Sequence, residues 1–208
     1  MDFRTLVDAD EDNIERIAAW LDGASAGERL QATRTLSRKS QRILFRKAEA
    51  QPALSLTDLV PAAYSACEEV IHHGWNTLPL PAGQRRFQKR FCRPTEDSSR
   101  LFGYNEAPSR WLIGPGYFVT RSTEGIVSWE ERGSLVVDYF EVPDGPVVED
   151  WPKVKPNSRG LQFFVYHRTR DYLRKISAHV SIGAAYKVEQ SLDHYFMLCR
   201  EDSDSRTA

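Results

Sequence analysis

Residues 174–186 read RKISAHVSIGAAY: Ile176, Ala178, Val180, Ile182, Ala184 and Tyr186 occupy the even positions, with Lys175, Ser177, His179, Ser181 and Gly183 between them. Side chains alternate across a strand, so this period of two predicts one long strand, 174–187, with a single buried face. Shorter versions of the pattern recur upstream, and further strands are expected over 85–93, 100–105, 116–121, 134–142, 161–167 and 192–200, with an extra one near 126–130. Alternation lapses over 167–173, which suggests a helical turn or bulge there. The separators 106–109, 122–125, 131–133 and 188–191 read as turns. Seven or eight strands joined so briefly favour an antiparallel meander, which removes its free edges by rolling into a barrel.

One connection is unusually long. Residues 143–160 carry Gly145, Pro146, Pro152, Pro156 and Gly160, and read either as a lid across a barrel mouth or as a loop pinned to the outer surface by Trp151.

The first third has a different period. Ile14, Ile17, Ala18 and Leu21 follow helical spacing up to Gly23, and Ser25 with Glu28 forms a capping box that opens a second helix running to about Glu49. A third helix is expected from Thr57 or Asp58 to His73, with Pro61 in its first turn and Gly74 as its stop. The expected fold is α+β: an N-terminal three-helix segment, 1–78, packed on an antiparallel barrel-like sheet of seven or eight strands, 79–200, with a polar tail at 201–208.

Composition narrows the function classes. The 208 residues are 41% hydrophobic and 27% charged with a formal net charge of -1, which argues against a surface that is basic all over, so any polyanion binding must be local. No run approaches the roughly 18–20 apolar residues of a membrane span, and the acidic start lacks a secretory pattern; a soluble cytoplasmic protein is expected. Cys67, Cys92 and Cys199 are widely spaced and odd in number, which fits reduced thiols better than a disulfide framework.

Two basic clusters stand out. Arg34, Arg38, Arg42 and Arg46 recur every four residues on the second helix, which reads first as a solvated face and second as a site for phosphates, an anionic membrane surface or an acidic partner. Arg85, Arg86, Lys89, Arg90 and Arg93 alternate with Phe87 and Phe91 on a strand, an arrangement shared by single-strand nucleic-acid platforms and by a core-facing Phe pair with charged ends. The overall balance makes nucleic acid the weaker reading.

Glu68, Glu69, His72 and His73 fall at helical spacing on the expected third helix, beside Cys67. The pairs point around the helix rather than to one point, so they are read as helix-end histidines with carboxylate partners and no metal is expected. No G-x-S-x-G, P-loop or G-x-G-x-x-G pattern is present; Gly114-Pro115-Gly116 reads as a turn, and no cofactor is expected.

An eight-stranded barrel is filled by its own side chains or holds one small ligand. If the even face of 174–186 lines the interior, Tyr104, Tyr117, Asp138, Tyr139, Tyr166, Arg174, Tyr186 and His194 are the candidates for polar contacts in an aromatic cavity. Three functions follow as expectations. The first is binding of a small, largely apolar ligand inside the barrel. The alternative is a binding module for an anionic partner, nucleic acid or acidic protein, through Arg34, Arg38, Arg42 and Arg46 together with Arg86 and Arg90 on the 85–93 strand. The third is an enzyme using the same cavity with His194, His167 or Asp138 as acid or base.

Overall fold

A computed structural model describes residues 2–79 and 81–201; the expected tail beyond Glu201 lies outside the described residues. Eight antiparallel strands close into a barrel in simple sequence order: β1 (Val70–Asn76), β2 (Arg86–Cys92), β3 (Arg100–Glu106), β4 (Phe118–Ser122), β5 (Leu135–Asp138), β6 (Thr169–Lys175), β7 (Val180–Lys187) and β8 (Gln190–Arg200). The seam is β1 on β8, with His73 opposite Cys199 and Trp75 opposite Met197.

The long strand expected at 174–187 is a hairpin. Lys175 on β6 pairs with Ser181 on β7, and the Ile176 and Ser177 amides both donate to the Val180 carbonyl at 3.0 Å. In this register Arg174 faces Ile182 and Leu173 faces Gly183; paired residues share parity, so the alternation runs through the turn unbroken.

The even residues of that hairpin do not line the barrel interior. Ile176, Val180, Ile182 and Ala184 pack with Met197 and Cys199 of β8 against the N-terminal helices. These are α1 (Phe3–Asp8), α2 (Ile14–Gly23), α3 (Ala26–Arg34) and α4 (Arg38–Lys47), whose Phe3, Leu6, Val7, Ile17, Leu21 and Leu44 complete this outer core. The wall is therefore apolar on both faces where the helices lie, which a period of two reports only as burial.

The expected second helix is two. The Thr35 hydroxyl donates to the Ala32 carbonyl at 2.7 Å, and the Ser37 hydroxyl then accepts the Ser40 amide at 3.1 Å, so one helix ends and a freshly capped one begins. The Ser25–Glu28 capping box is present in both directions, at 3.3 and 2.9 Å.

The expected third helix shrinks to α5 (Leu56–Leu59), and its second half is β1. Its inward residues are Val70, His72 and Gly74, of which only the first is an apolar side chain, so no strand alternation shows in the sequence. The barrel thus begins at Val70. Residues 161–167 are likewise not a strand: α8 (Gln162–Val165) is a single helical turn, and β6 starts at Thr169. Two other single turns, α6 (Arg110–Ile113) and α7 (Val127–Glu130), sit between β3 and β4 and between β4 and β5, the latter where an extra strand was expected.

The inner face is packed with large side chains from one wall against small ones from the other. Phe87 and Phe91 of β2, Phe118 of β4 and Phe196 of β8 fill the lumen, with Gly74, Gly103, Ser181, Gly183 and Ala185 opposite or beside them. A Cβ at Gly183 would clash with the edge of the Phe196 ring. One end of the barrel is stoppered by Leu54, Leu59 and Val60. Asp58 ties the stopper down, its carboxylate taking Lys175 at 2.8 Å and its carbonyl accepting from Arg200. The 143–160 segment is no lid: Trp151 packs on Tyr104 and Tyr117 on the outer surface, and its indole N–H donates to Glu69 at 2.6 Å.

Candidate functional site

Two places concentrate chemistry, one inside the barrel and one outside. Inside, Lys89 occupies the inward phase of β2 between Phe87 and Phe91, as strand geometry requires of a residue two positions from each. Its ammonium donates to Asp171 of β6 at 3.0 Å, to Asn105 of β3 at 3.1 Å and to the Tyr139 hydroxyl. The rings of Phe118, Tyr139 and Phe196 surround it with centroids at 4.9, 5.0 and 5.1 Å. Burial pulls the Lys89 pKa down while Asp171 holds it up, and burial drives the Tyr139 hydroxyl well above its ordinary value. Tyr166 stacks on Tyr139 at 5.3 Å and closes this end of the barrel, helped by Gln162, whose side-chain oxygen accepts the Gly116 amide at 3.0 Å.

Of the residues expected to line a cavity, Tyr166 and Tyr139 are the two that reach this cluster. Tyr104 and Tyr117 lie on the outer wall beneath Trp151, where burial lifts the Tyr104 pKa to about 12. Asp138 is on the outer face of β5, fully buried between Arg121 at 2.9 Å and Arg170 at 3.0 Å. Arg174 is also outside and donates to the carbonyls of Phe45 and Glu131 at 2.9 and 2.7 Å. Tyr186 packs edge-on to Tyr172 at 5.1 Å. His194 takes a contact of 2.7 Å from Arg38 at the start of β8. For Tyr104, Tyr117, Asp138, Arg174 and Tyr186 the common cause is the face of the wall: parity places these side chains outward once the helices cover the even face of β7. His194, paired with Ala185 next to a register shift, is instead taken up by Arg38 at the barrel end.

His194, His167 and Asp138 do not converge. His167 stacks on Phe163 at 4.6 Å near the Tyr166 end, whereas Asp138 is engaged by its two arginines and His194 by Arg38. On β1, His72 and His73 point to opposite sides. His72 is inside, bonded through Nε2 to the Leu59 carbonyl at 2.9 Å, with its pKa pulled down to about 3 chiefly by burial; His73 is outside, 2.6 Å from Glu201. Among the described residues no three His, Cys, Asp or Glu side chains are grouped as a metal site would need.

Outside, the two basic clusters divide between structural and open roles. Arg42 makes a two-point ion pair with Asp193, one contact at 2.9 Å, and with Arg38 ties α4 to the start of β8. Arg90 is held by Glu69 at 3.1 Å and by Gln88. Arg46 is exposed on α4. Arg34, at the C-terminal end of α3, and Arg86, exposed at the start of β2, have no carboxylate partner among the described residues and line one surface groove of about 410 Å³. His73, Arg90 and Glu106 are among its other lining residues, and Glu106 is engaged by Arg110 at 2.7 Å. Helix register and strand register thus bring a residue from each basic cluster to one place, which neither pattern reveals alone.

Lys89 was visible in the sequence only as part of a basic run, and Asp171 carried no signal beyond its place in a non-alternating stretch. The inward phase shared by Phe87, Lys89 and Phe91 was the available clue. Comparison of the chain with family models, with curated proteins and with solved structures finds no match.

Proposed function

We propose that this protein is a binding module for an anionic ligand, held in the groove between α3 and the outer edge of β1 and β2. The observation that carries the reading is the meeting of Arg34 and Arg86 in one groove without a carboxylate on either among the described residues. Guanidinium groups offer paired donors that match phosphate and carboxylate oxygens. Arg38 and Arg42 contribute to folding rather than to this site.

The test is retention on heparin and binding of a fluorescent oligothymidylate. Arg34→Glu with Arg86→Glu should abolish retention, and Arg34→Ala with Arg86→Ala should make the slope of log affinity against log salt shallower by about 1.4, the value for two lost single-strand phosphate contacts. Arg4→Glu with Arg16→Glu, on α1 and α2, is the charge-matched control and should retain binding. Flow-through of the unaltered protein at low salt rejects the reading.

A second reading keeps a small ligand inside the barrel, and the Lys89 cluster favours it: a desolvated lysine among aromatic rings is a usual mark of a functional site. Because side chains fill the lumen, such a ligand would enter beneath Tyr166 and displace part of the packing. Native mass spectrometry of freshly purified protein tests it; a co-purifying mass supports it, and the bare chain mass alone rejects it.

A further inference from the structure

The end of the barrel away from the Leu54–Val60 stopper carries a second unassigned surface. Trp111 and Leu112 on α6 are exposed, Trp111 at 82%, and so are Phe163, Phe164 and Val165 on α8, Phe164 at 72%. These turns belong to one rim. The Gly116 amide just after α6 donates to Gln162 of α8 at 3.0 Å, Lys187 of β7 donates to the Phe164 carbonyl at 3.0 Å, and the amide of exposed Val188 donates to the Arg168 carbonyl at 3.0 Å. An unprotected patch of this kind is unusual on a lone soluble domain.

Its charge is one-sided. Between Asn157 and Arg170, the stretch that carries α8, the sequence holds Arg159 and Arg168 and no Asp or Glu, both are exposed, and Lys187 joins them through its contact with Phe164. The acidic side chains nearest the rim in sequence are spoken for: Asp171 by Lys89, Glu106 by Arg110, and Glu189 by Arg132 and Arg170. Two copies of the chain facing each other here would oppose like charges.

We infer that this rim docks on an anionic lipid bilayer, with the Trp111 and Phe164 side chains inserted among the headgroups and Arg159, Arg168 and Lys187 on lipid phosphates and carboxylates. Aromatic side chains are at home in the interfacial layer, and short apolar projections combined with cations bind reversibly to anionic leaflets. No helix among the described residues is long and apolar enough to cross a membrane, so the contact is with the surface. The inference is independent of the Arg34–Arg86 groove.

The experiment is co-sedimentation of the full chain with phosphatidylcholine vesicles, with and without phosphatidylserine, together with quenching of tryptophan fluorescence by lipids brominated in their tails. Binding is expected with phosphatidylserine, weakening with salt, and with quenching that Trp111→Phe removes. Arg159→Ala with Arg168→Ala should weaken binding about 25-fold, about a factor of five for each charge. Trp111→Ala with Phe164→Ala should weaken it at least about tenfold while leaving heparin retention intact. Arg34→Glu with Arg86→Glu should leave vesicle binding intact, which separates the two surfaces. Absence of binding to phosphatidylserine vesicles at low salt, binding without quenching, binding unaffected by the rim variants, or a dimer in solution that the rim variants dissociate would each overturn it.

Discussion

Lys89 and Asp171 form an ion pair of 3.0 Å in which both side chains are withdrawn from solvent, 2% and 8% exposed, inside a wall of phenylalanine rings. Taking two charges out of water costs several kcal/mol per ion, and here the attraction is supplemented by Asn105 and the Tyr139 hydroxyl, which share the remaining hydrogen-bonding capacity. Removing one partner should be far worse than removing both. Lys89→Met is expected to destabilise the fold by about 3–5 kcal/mol because Asp171 is left buried and uncompensated. Lys89→Met with Asp171→Leu should recover most of that loss. Urea denaturation of the two variants decides it, and equal losses in both would contradict the account.

His72 makes stability fall in acid. Its folded-state pKa is pulled to about 3 from an ordinary value of 6.5, mainly by burial. Between those values the unfolded chain binds a proton that the folded chain refuses, so stability decreases as pH falls through this window, by up to about 1.4 kcal/mol per pH unit. His72→Gln can still donate to the Leu59 carbonyl and does not titrate. Its stability curve between about pH 6.5 and 3 should be flatter than that of the parent, as followed by thermal melts; parallel curves would remove His72 as the cause.

Gly183 is required by its neighbour. A methyl group there would meet the Phe196 ring on the paired strand, so Gly183→Ala should cost about 1–3 kcal/mol through overpacking. Adding Phe196→Leu should make the same alanine less costly, a non-additivity that a double-mutant cycle measures.

Trp151 holds the 143–160 segment to the outside of β3 and β4. Trp151→Ala removes its ring contacts with Tyr104 and Tyr117 and its donation to Glu69, with an expected loss of about 3–5 kcal/mol. Cleavage by trypsin after Lys153 and Arg159, which precede Val154 and Gly160, should accelerate in the variant well before the barrel unfolds. Unchanged cleavage would mean that other contacts pin the segment.

The barrel was legible in the sequence because most of its strands bury a face, and burial imposes a period of two whichever side is covered. The side itself was not legible. Ile176, Val180 and Ile182 have the same spacing whether they look into a lumen or beneath α4, and only the apolar stripes of α1, α2 and α4 settle which. β1 escaped notice since its inward side chains include His72 and Gly74. Residues 161–167 misled in the opposite sense, for Phe163, Phe164 and Val165 are strand-favouring types left exposed on a helical turn. For the candidate groove, each arginine was visible, but the meeting of Arg34 with Arg86 depends on the helix packing beside β1, a relationship between distant segments that no local pattern carries.

The pairing of β1 with β8 has a consequence for how the chain is made. With its first strand waiting for its last, the wall is a ribbon with two bare edges until Arg200 has left the ribosome, and hydrogen-bonding groups along 70–76 stay open to strands of neighbouring chains during that interval. Sealing that seam is then the late, slow event of biogenesis, and strand exchange between nascent copies is the misassembly against which synthesis has to compete.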